Sequence, residues 1–260
     1  MDAKNLITEN PLSMPKNSMR SYLIMALSGL TGGVSLVLFI FFLYVGLPSY
    51  MDFGLDARTS LYINTLLCLL FFLQHSLMIR EGFRKWLSGP IPQNYHGAFF
   101  SIFSGLFLLL LMSFWQKSTS IQIELAGMFY WFIRSLFFIA IVGLFLTIRS
   151  LRFFDLLGIR DMISFLKGNS AKGVFFTVRG PYRWVRHPIY FFCLLMIWAQ
   201  VSLTTDRLLF NGLWTVWIIT GTFLEERDLV ASFGDVYRNY QRKVPVLVPY
   251  KWLPWKQHQH

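Results

Sequence analysis

The sequence predicts an all-α integral membrane protein with about six transmembrane helices, a C-terminal helical hairpin and an amphipathic cytoplasmic helix. Three observations predict this class: the apolar composition, the length of the apolar runs, and the distribution of basic residues between those runs. Of the 260 residues, 55% are hydrophobic and only 14% are charged, whereas an ordinary soluble domain has about 25% charged residues. That much apolar surface needs lipid as well as protein to cover it, so membrane lipid is the first partner that we expect.

Four apolar runs are long enough to cross a bilayer, whose core of about 30 Å needs about 20 helical residues. Two shorter runs follow, joined by a brief polar turn at 204–207, and we expect them to cross together as an antiparallel hairpin. The six predicted spans are 22–47, 61–79, 97–115, 127–148, 189–203 and 208–224.

The number of basic residues alternates from one loop to the next. Along the chain, the segments outside the spans hold 3, 1, 3, 1, 8, 1 and 6 Lys and Arg residues. Because cytoplasmic loops carry an excess of these residues, the alternation predicts six spans with both termini in the cytoplasm. The net charge of +11 then reflects topology, and we expect no nucleic acid partner. Arg134 lies within a span, where it either snorkels to the interface or faces a polar cavity.

The chain divides into two unequal parts. Residues 1–148 form a four-span membrane half with short loops, whereas residues 149–260 contain a long cytoplasmic loop, the hairpin and a basic tail. Because polar residues concentrate in the second part, we expect the functional site there. Cys68 and Cys193 lie within apolar runs and lack the spacing of a metal site, so no metal is expected.

A basic segment leads directly into the fifth span. Pro188 suits the first turn of a helix, where its missing N–H is harmless, so His187 lies near the N-cap and Tyr190 on the first turn. The positive end of the helix dipole favours an anion there, and Arg183 and Arg186 reinforce this preference. The segment therefore predicts a site for a carboxylate or phosphate at the cytoplasmic face. The alternative is a cationic anchor that grips lipid headgroups.

Two adjacent acidic residues, Glu225 and Glu226, end the sixth apolar run. Since a helical hairpin brings this end beside the start of the fifth span, we expect both carboxylates near Arg186 and His187. Either the contact is a purely structural salt bridge, or the basic and acidic groups form a pocket for a zwitterionic amino acid group.

Residues 228–243 predict an amphipathic helix that continues from the sixth span. Apolar and aromatic residues recur at three- and four-residue spacing on one face. This helix either lies flat on the membrane or covers a bound cofactor. The residues of the apolar face are Leu229, Phe233, Val236, Tyr237 and Tyr240.

The order and spacing of these motifs resemble the isoprenylcysteine carboxyl methyltransferase-like superfamily. The resemblance rests on Gly180-Pro-Tyr-Arg-Trp-Val-Arg-His-Pro-Ile-Tyr190, on the Glu225-Glu226 pair, and on the Val244-Pro245 ending. Within that superfamily the chain is most similar to the bacterial methanethiol S-methyltransferases, a similarity that Gln74-His75-Ser76 near the end of the second span supports.

The resemblance implies S-adenosylmethionine as the methyl donor and a small thiol as the acceptor, with methanethiol giving dimethyl sulfide. It implies that Arg186 and His187 hold the carboxylate of the donor, and that Glu225 or Glu226 holds its ammonium group or ribose hydroxyls. His75 is the expected acid–base group for the thiol, and Arg186 and His187 complete the expected catalytic set. A bacterial inner membrane is the expected location. The implied cofactor-binding residues are Arg183, Arg186, His187, Pro188, Tyr190, Glu225, Glu226, Tyr237 and Tyr240.

Three other functions fit parts of the same pattern. A methyltransferase acting on a lipid amine or a prenylcysteine carboxylate would need a lateral opening between spans. An NADPH-dependent membrane reductase carries a similar Arg-His-Pro motif, but the glutamate pair argues against it. A non-catalytic, NnrU-like membrane protein would have no use for His187, Glu225 and Glu226, so substitutions there would be harmless.

Overall fold

The computed structural model describes residues 18–45, 51–151, 155–168, 176–251 and 254–255. Over these residues the chain forms nine α-helices and a two-stranded sheet, and a π-helical segment, Gly29–Gly33, joins α1 to α2. The helices are α1 (Ser18–Ser28), α2 (Val34–Val45), α3 (Ala57–Ile79), α4 (Glu81–Leu87), α5 (His96–Phe114), α6 (Gly127–Ser150), α7 (Ile159–Leu166), α8 (Pro188–Trp198) and α9 (Thr205–Lys243). The strands are β1 (Ile121–Glu124) and β2 (Ser202–Thr204).

Five helical segments are long and apolar enough to cross a membrane: α1 with α2, α3, α5, α6 and α9. They coincide with predicted spans one to four and six, apart from residues 46–47, which lie outside the described residues. Large apolar side chains such as Val37, Phe129 and Trp131 are more than half exposed on their outer faces, an arrangement that suits lipid. The predicted class, an all-α integral membrane protein, is confirmed. Of the basic residues behind the predicted orientation, Lys4, Lys16, Arg152, Lys172 and Lys256 lie outside the described residues.

The predicted fifth span is helical only over its first part. α8 has 11 residues, or about 16 Å of helix, which is shorter than the bilayer core. Ala199 leaves the helical region, and β2 pairs antiparallel with β1, so that Ser202 lies opposite Glu124. The prediction of a helix to residue 203 is therefore wrong beyond Trp198, because backbone pairing with β1 replaces the last turns. The turn predicted at 204–207 is also wrong, since α9 begins at Thr205. The count of six crossings stays a prediction.

Close helix packing places the start of α8. A Cβ atom added to Gly143 of α6 would lie 2.2 Å from Cε1 of Phe192, so the ring of Phe192 occupies the space above that glycine. A larger residue at position 143 would push α8 away from α6, because packed interiors have little free volume. Gly143 therefore fixes the distance between α6 and the helix that begins at Pro188.

A group of buried polar side chains fastens the helix ends that lie at the sheet. Asn64 and the backbone of Gln116 exchange two hydrogen bonds of 2.7 and 2.9 Å. The indole N–H of Trp115 donates to Asp206 at 2.9 Å. These contacts join α3, the end of α5 and the start of α9, so Glu225 and Glu226 lie at the opposite end of the same bundle.

Arg134 is held inside the bundle by α2. Its Nη1 donates to the backbone oxygen of Tyr44 at 2.7 Å, and its guanidinium lies 4.1 Å from the centre of the Tyr44 ring. The charge is thus placed at the last turn of α2, close to one end of the spans. This position agrees with a side chain that reaches toward the interface.

Candidate functional site

Backbone pairing shapes the segment before α8. Gly180, with φ of +52°, opens a 3-10 turn that runs to Arg183, a conformation that glycine adopts without steric cost. The N–H groups of Arg186 and His187 donate to the carbonyl groups of Pro245 and Val246 at 2.9 and 3.1 Å. The residues after α9 therefore lie beside the residues before α8 and form one wall of the site.

Arg186 and Glu226 form the centre of the site, as expected from the hairpin. Nε and Nη2 of Arg186 donate to the two oxygens of Glu226, each at 2.9 Å. Nη1 donates to the carbonyl groups of Gln241 and Val244 at 2.8 and 2.6 Å. Only 9% of the Arg186 side chain and 10% of the Glu226 side chain are exposed. A paired, bidentate arrangement of this kind is rigid as well as strong.

His187 lies between the two glutamates. Its Nε2 is 2.7 Å from Oε1 of Glu226, and its Nδ1 is 3.5 Å from Oε2 of Glu225. Burial lowers the pKa of His187, but hydrogen bonds to Glu225 and Glu226 and their negative charges outweigh burial, so the pKa is raised above its ordinary value. Because both ring nitrogens face carboxylates, the protonated imidazolium is the form that this geometry favours.

Glu225 is the accessible acid of the pair. Its side chain is 44% exposed, and it accepts a hydrogen bond of 2.7 Å from the hydroxyl group of Tyr190. The rings of His187 and Tyr190 stack with an interplanar angle of 5°. Glu225 therefore combines a fixed orientation with contact to the outside, whereas Glu226 is enclosed by protein.

The second half of α9 covers this network. Tyr237 donates to Glu226 at 2.6 Å, and Tyr240 donates to the backbone oxygen of Tyr182 at 2.6 Å. The rings of Tyr237 and Tyr240 both contact Phe176. Most of the predicted apolar face therefore packs against the segment before α8 rather than lying flat on lipid. Val236 is the exception, since it is 58% exposed.

The sequence did not reveal three groups of the site. Gln241 donates to Oε2 of Glu226 at 2.6 Å, and its position one turn after Tyr237 could have indicated this. The carbonyl of Tyr182 and the ring of Phe176 carried no comparable signal. Among the predicted residues, Arg183 is exposed, and Pro188 is buried at the first position of α8.

His75 lies apart from the network, on α3. Its ring packs among Phe71, Phe100 and Trp217, with ring centres 4.8 to 5.4 Å away. Trp217 belongs to α9 and precedes Glu225 by about two turns, or roughly 12 Å along the helix axis. The structure thus places His75 deeper in the bundle than the glutamates but against the same helix.

An apolar cleft of about 500 Å³ opens beside the segment before α8. Its lining contains none of the residues that hold Glu226. The lining residues are Pro181, Trp184, Val185, Phe191, Phe192, Pro249, Tyr250 and Lys251. Over the described part of the chain, no group of three or more His, Cys, Asp or Glu side chains could hold a metal ion.

Comparison with known proteins identifies the family. A family model described as "Protein of unknown function (DUF1295)" matches residues 84–244. Methanethiol S-methyltransferase 2 of Bradyrhizobium diazoefficiens is 32% identical over 204 residues, which are 78% of this chain and 79% of that protein. Methanethiol S-methyltransferase of Pseudomonas deceptionensis is 32% identical over 213 residues, 79% of each chain. The chain belongs to the DUF1295 family.

The DUF1295 chain also has a more distant animal relative. Nurim of Rattus norvegicus is 27% identical over 203 residues, 70% of this chain and 72% of that protein. Nurim links the family to the isoprenylcysteine carboxyl methyltransferase-like superfamily, which confirms the resemblance inferred from the motifs. Together the relatives support a membrane methyltransferase. No solved structure matches the chain.

Proposed function

We propose that the chain transfers a methyl group from S-adenosylmethionine to a small thiol, with methanethiol as the acceptor and dimethyl sulfide as the product. The observation that carries the proposal is the accessible Glu225 beside the enclosed Arg186–His187–Glu226 network, in a chain whose relatives are named methanethiol S-methyltransferases.

The residues fit the amino acid part of S-adenosylmethionine, which carries one ammonium and one carboxylate group. Glu225 is the acid that can accept an ammonium group, because 44% of its side chain is accessible and Tyr190 fixes its orientation. Arg183 is the exposed cation of the turn and would hold the carboxylate. Arg186 and His187 serve the site by holding Glu226 and Glu225 in place, since Glu226 and two backbone carbonyl groups already occupy the Arg186 guanidinium.

The remaining predicted residues would enclose the cofactor. We propose that the buried Tyr237 and Tyr240 support the wall of the cofactor site on the α9 side, and that the buried Pro188 and the partly exposed Tyr190 do so on the α8 side. S-adenosylmethionine supplies an electrophilic methyl group on a sulfonium centre. Positioning and exclusion of water would provide much of the rate for such a displacement, and His75 would accept the proton of the thiol, which reacts as the thiolate.

Calorimetric titration of detergent-purified protein with S-adenosylmethionine and S-adenosylhomocysteine tests the cofactor. We expect binding by the wild type and a loss of about tenfold in affinity for Glu225→Gln, since one charge-assisted hydrogen bond is removed. Asp235→Asn is the matched control, because Asp235 is an exposed acid of the same helix that pairs with Arg238. A folded wild type that binds neither compound would overturn the proposal and favour the reductase or the non-catalytic protein.

Gas chromatography of dimethyl sulfide formed from methanethiol tests the acceptor. The apolar cleft beside α8 favours a second candidate, a lipid-like acceptor such as a lipid amine or a prenylcysteine, because it opens at the surface and is lined by aromatic side chains. Methyl transfer to such a compound, with none to methanethiol, would select this second candidate.

A further inference from the structure

Two buried polar atoms next to each other on α3 lack hydrogen-bond partners within the described part of the chain. They are Oε1 of Gln74 and Nδ1 of His75. The amide nitrogen of Gln74 does have partners, since it donates to Met78 Sδ at 2.9 Å and to Ser104 Oγ at 3.3 Å. This orientation leaves the carbonyl oxygen of Gln74 as a free acceptor.

Both atoms lie in the same part of the bundle. His75 contacts Phe100 of α5, and Gln74 contacts Ser104, one turn further along α5. Trp217 of α9 packs on the His75 ring and donates through its indole N–H to Ser76 at 3.0 Å. Two free polar atoms thus lie where α3, α5 and α9 meet, with Phe71, Phe100 and Trp217 as aromatic neighbours of the imidazole.

An unpaired polar atom is costly in this environment. Buried polar groups in proteins nearly always have a partner, and the interior of a membrane offers no bulk water as a substitute. Two such atoms on neighbouring residues, both in contact with α5, therefore indicate a ligand that brings a donor. The oxygen of Gln74 can only accept, and Nδ1 of a neutral histidine accepts when Nε2 carries the proton.

We infer that Gln74 and His75 form the acceptor pocket and that it takes a small, neutral thiol. The single S–H hydrogen is donated to one acceptor at a time, to Oε1 of Gln74 on binding and to Nδ1 of His75 in the reaction. This inference rests on the proposed function and adds to it the residues that select the acceptor. A carboxylate has no hydrogen to donate and would place a charge among aromatic rings, so a prenylcysteine carboxylate is rejected here. A thioether also lacks a donor, so the product loses the contact that held the substrate.

The chemical step follows from this arrangement. The proton of the thiol passes to Nδ1 of His75, and the sulfur forms a bond to the methyl carbon. The bond between that carbon and the sulfonium breaks, and its electron pair stays on the sulfur of S-adenosylhomocysteine. His75 then releases the proton to water at the nearby end of α3.

Two variants separate binding of the acceptor from chemistry. Gln74→Met keeps the length of the side chain and removes the free acceptor, so the KM for methanethiol rises about three- to fivefold, the value of one hydrogen bond from a weak donor. His75→Phe keeps a ring among the aromatic neighbours and removes the base, so kcat falls at least about a hundredfold. Thr65→Val is the control on α3, because the Thr65 hydroxyl donates only to the backbone oxygen of Leu61, and its kinetics stay at the wild-type level.

Calorimetry of S-adenosylmethionine binding runs in parallel on every variant, and we expect dissociation constants within about twofold of wild type. If the wild type does not bind this cofactor, the proposed function itself fails. If it binds and methylates methanethiol, while Gln74→Met retains its KM or His75→Phe retains its kcat, the acceptor pocket is overturned. Should His75→Phe fail to bind the cofactor and so prove misfolded, the KM of Gln74→Met alone decides.

Discussion

The side chain of Glu226 makes more hydrogen bonds than any other side chain described in the site. It accepts five hydrogen bonds, from Arg186 Nε and Nη2, His187, Tyr237 and Gln241. A carboxylate that is enclosed by this many donors is held in one orientation, and its charge together with that of Glu225 balances the charges of Arg186 and His187. Its main effect is therefore to fix the groups that surround Glu225.

Substitution of Glu226 by Gln will destabilise the protein strongly. The change leaves Arg186 and His187 without their enclosed counter-charge, and breaking a buried ion pair costs about 3–5 kcal/mol. Thermal unfolding in detergent measures the effect. Glu225→Gln is the comparison, since the Glu225 side chain is partly exposed and loss of its charge should cost clearly less. Equal losses of stability for the two variants would contradict the assignment of Glu226 as the structural acid.

His187 makes the stability of the protein depend on pH. Its pKa is raised in the folded state relative to about 6.5 in an unfolded chain. Below pH 6.5 the stabilisation by Glu225 and Glu226 is therefore fully present, and it is lost as the pH rises through the higher, folded-state pKa. We expect the difference in unfolding temperature between wild type and His187→Gln to be largest near pH 5–6 and to shrink above it. A difference in unfolding temperature that grows as the pH rises would contradict a raised pKa of His187 in the folded state.

At the residue scale, the sequence predicted that Arg186 and His187 lie beside the two glutamates. It did not predict the further hydrogen-bond partners of these four residues. A helical hairpin places the start of its first helix beside the end of its second helix. This arrangement brings Arg186 and His187 next to Glu225 and Glu226. The individual hydrogen bonds of Arg186 and Glu226 were not predictable. They depend on Gln241 and on backbone carbonyl groups whose positions follow from the bend of α9.

The bend in α9 is the element-scale feature that brings Tyr237 back onto Glu226. Gly234 has φ of +56° and ψ of −132°, and residues on both sides are helical. These angles are accessible to glycine and strained for other residues. The apolar periodicity of 228–243 predicts a helix, but it contains no sign that the axis changes direction at Gly234.

Replacing Gly234 by Ala will weaken the site through the backbone alone. A Cβ atom at this position meets nothing within 4 Å, so the cost is conformational, about 1–3 kcal/mol. We expect lower thermal stability and weaker cofactor binding, because Tyr237 and Tyr240 follow the bend. Gly221→Ala is the matched control on α9: it is also free of contacts within 4 Å and has helical neighbours, so it should be neutral or slightly stabilising.

The end of α8 illustrates why the fifth span was only partly predictable. The run 189–203 contains only two polar residues near its end, Gln200 and Ser202, and these two alone do not predict a change from helix to strand at Trp198. The change depends on β1, whose partner residues lie about 80 positions earlier in the chain. The periodicity of apolar residues within one segment does not predict whether that segment pairs with a distant one.

At the scale of the whole molecule, the sheet lies at the start of α9, and the glutamate network lies at the end of the apolar part of this helix. β1 and β2 join the loop before α6 to the turn before α9, and the contacts of Glu226 join the start of α8 to the later part of α9. These two junctions agree with the prediction that α8, a helix of only 11 residues, crosses the membrane together with α9.

Cysteine labelling will test the predicted orientation. We expect Ser118→Cys, beside the sheet, to react with a membrane-impermeant maleimide in intact cells, and Ser232→Cys, on the covering half of α9, to react only after permeabilisation. Both positions belong to polar segments outside the apolar runs. The native Cys68 is buried, and the partly buried Cys193 is replaced by Ser in both variants to remove background labelling. Labelling of both positions from the same side would mean that the segment 188–204 does not cross.

The pairing of Pro245 and Val246 with Arg186 and His187 also sets an order of events during biosynthesis. The ribosome makes these two residues after it has made both helices of the hairpin, so the wall that they form cannot close while α9 is still being inserted. Domains of a growing chain fold as their sequence emerges. Here the backbone N–H groups of Arg186 and His187 stay unpaired until Pro245 and Val246 have been made. A nascent chain that stops within α9 would leave Arg186 without Val244 and would present quality-control proteases with an open, incompletely paired site.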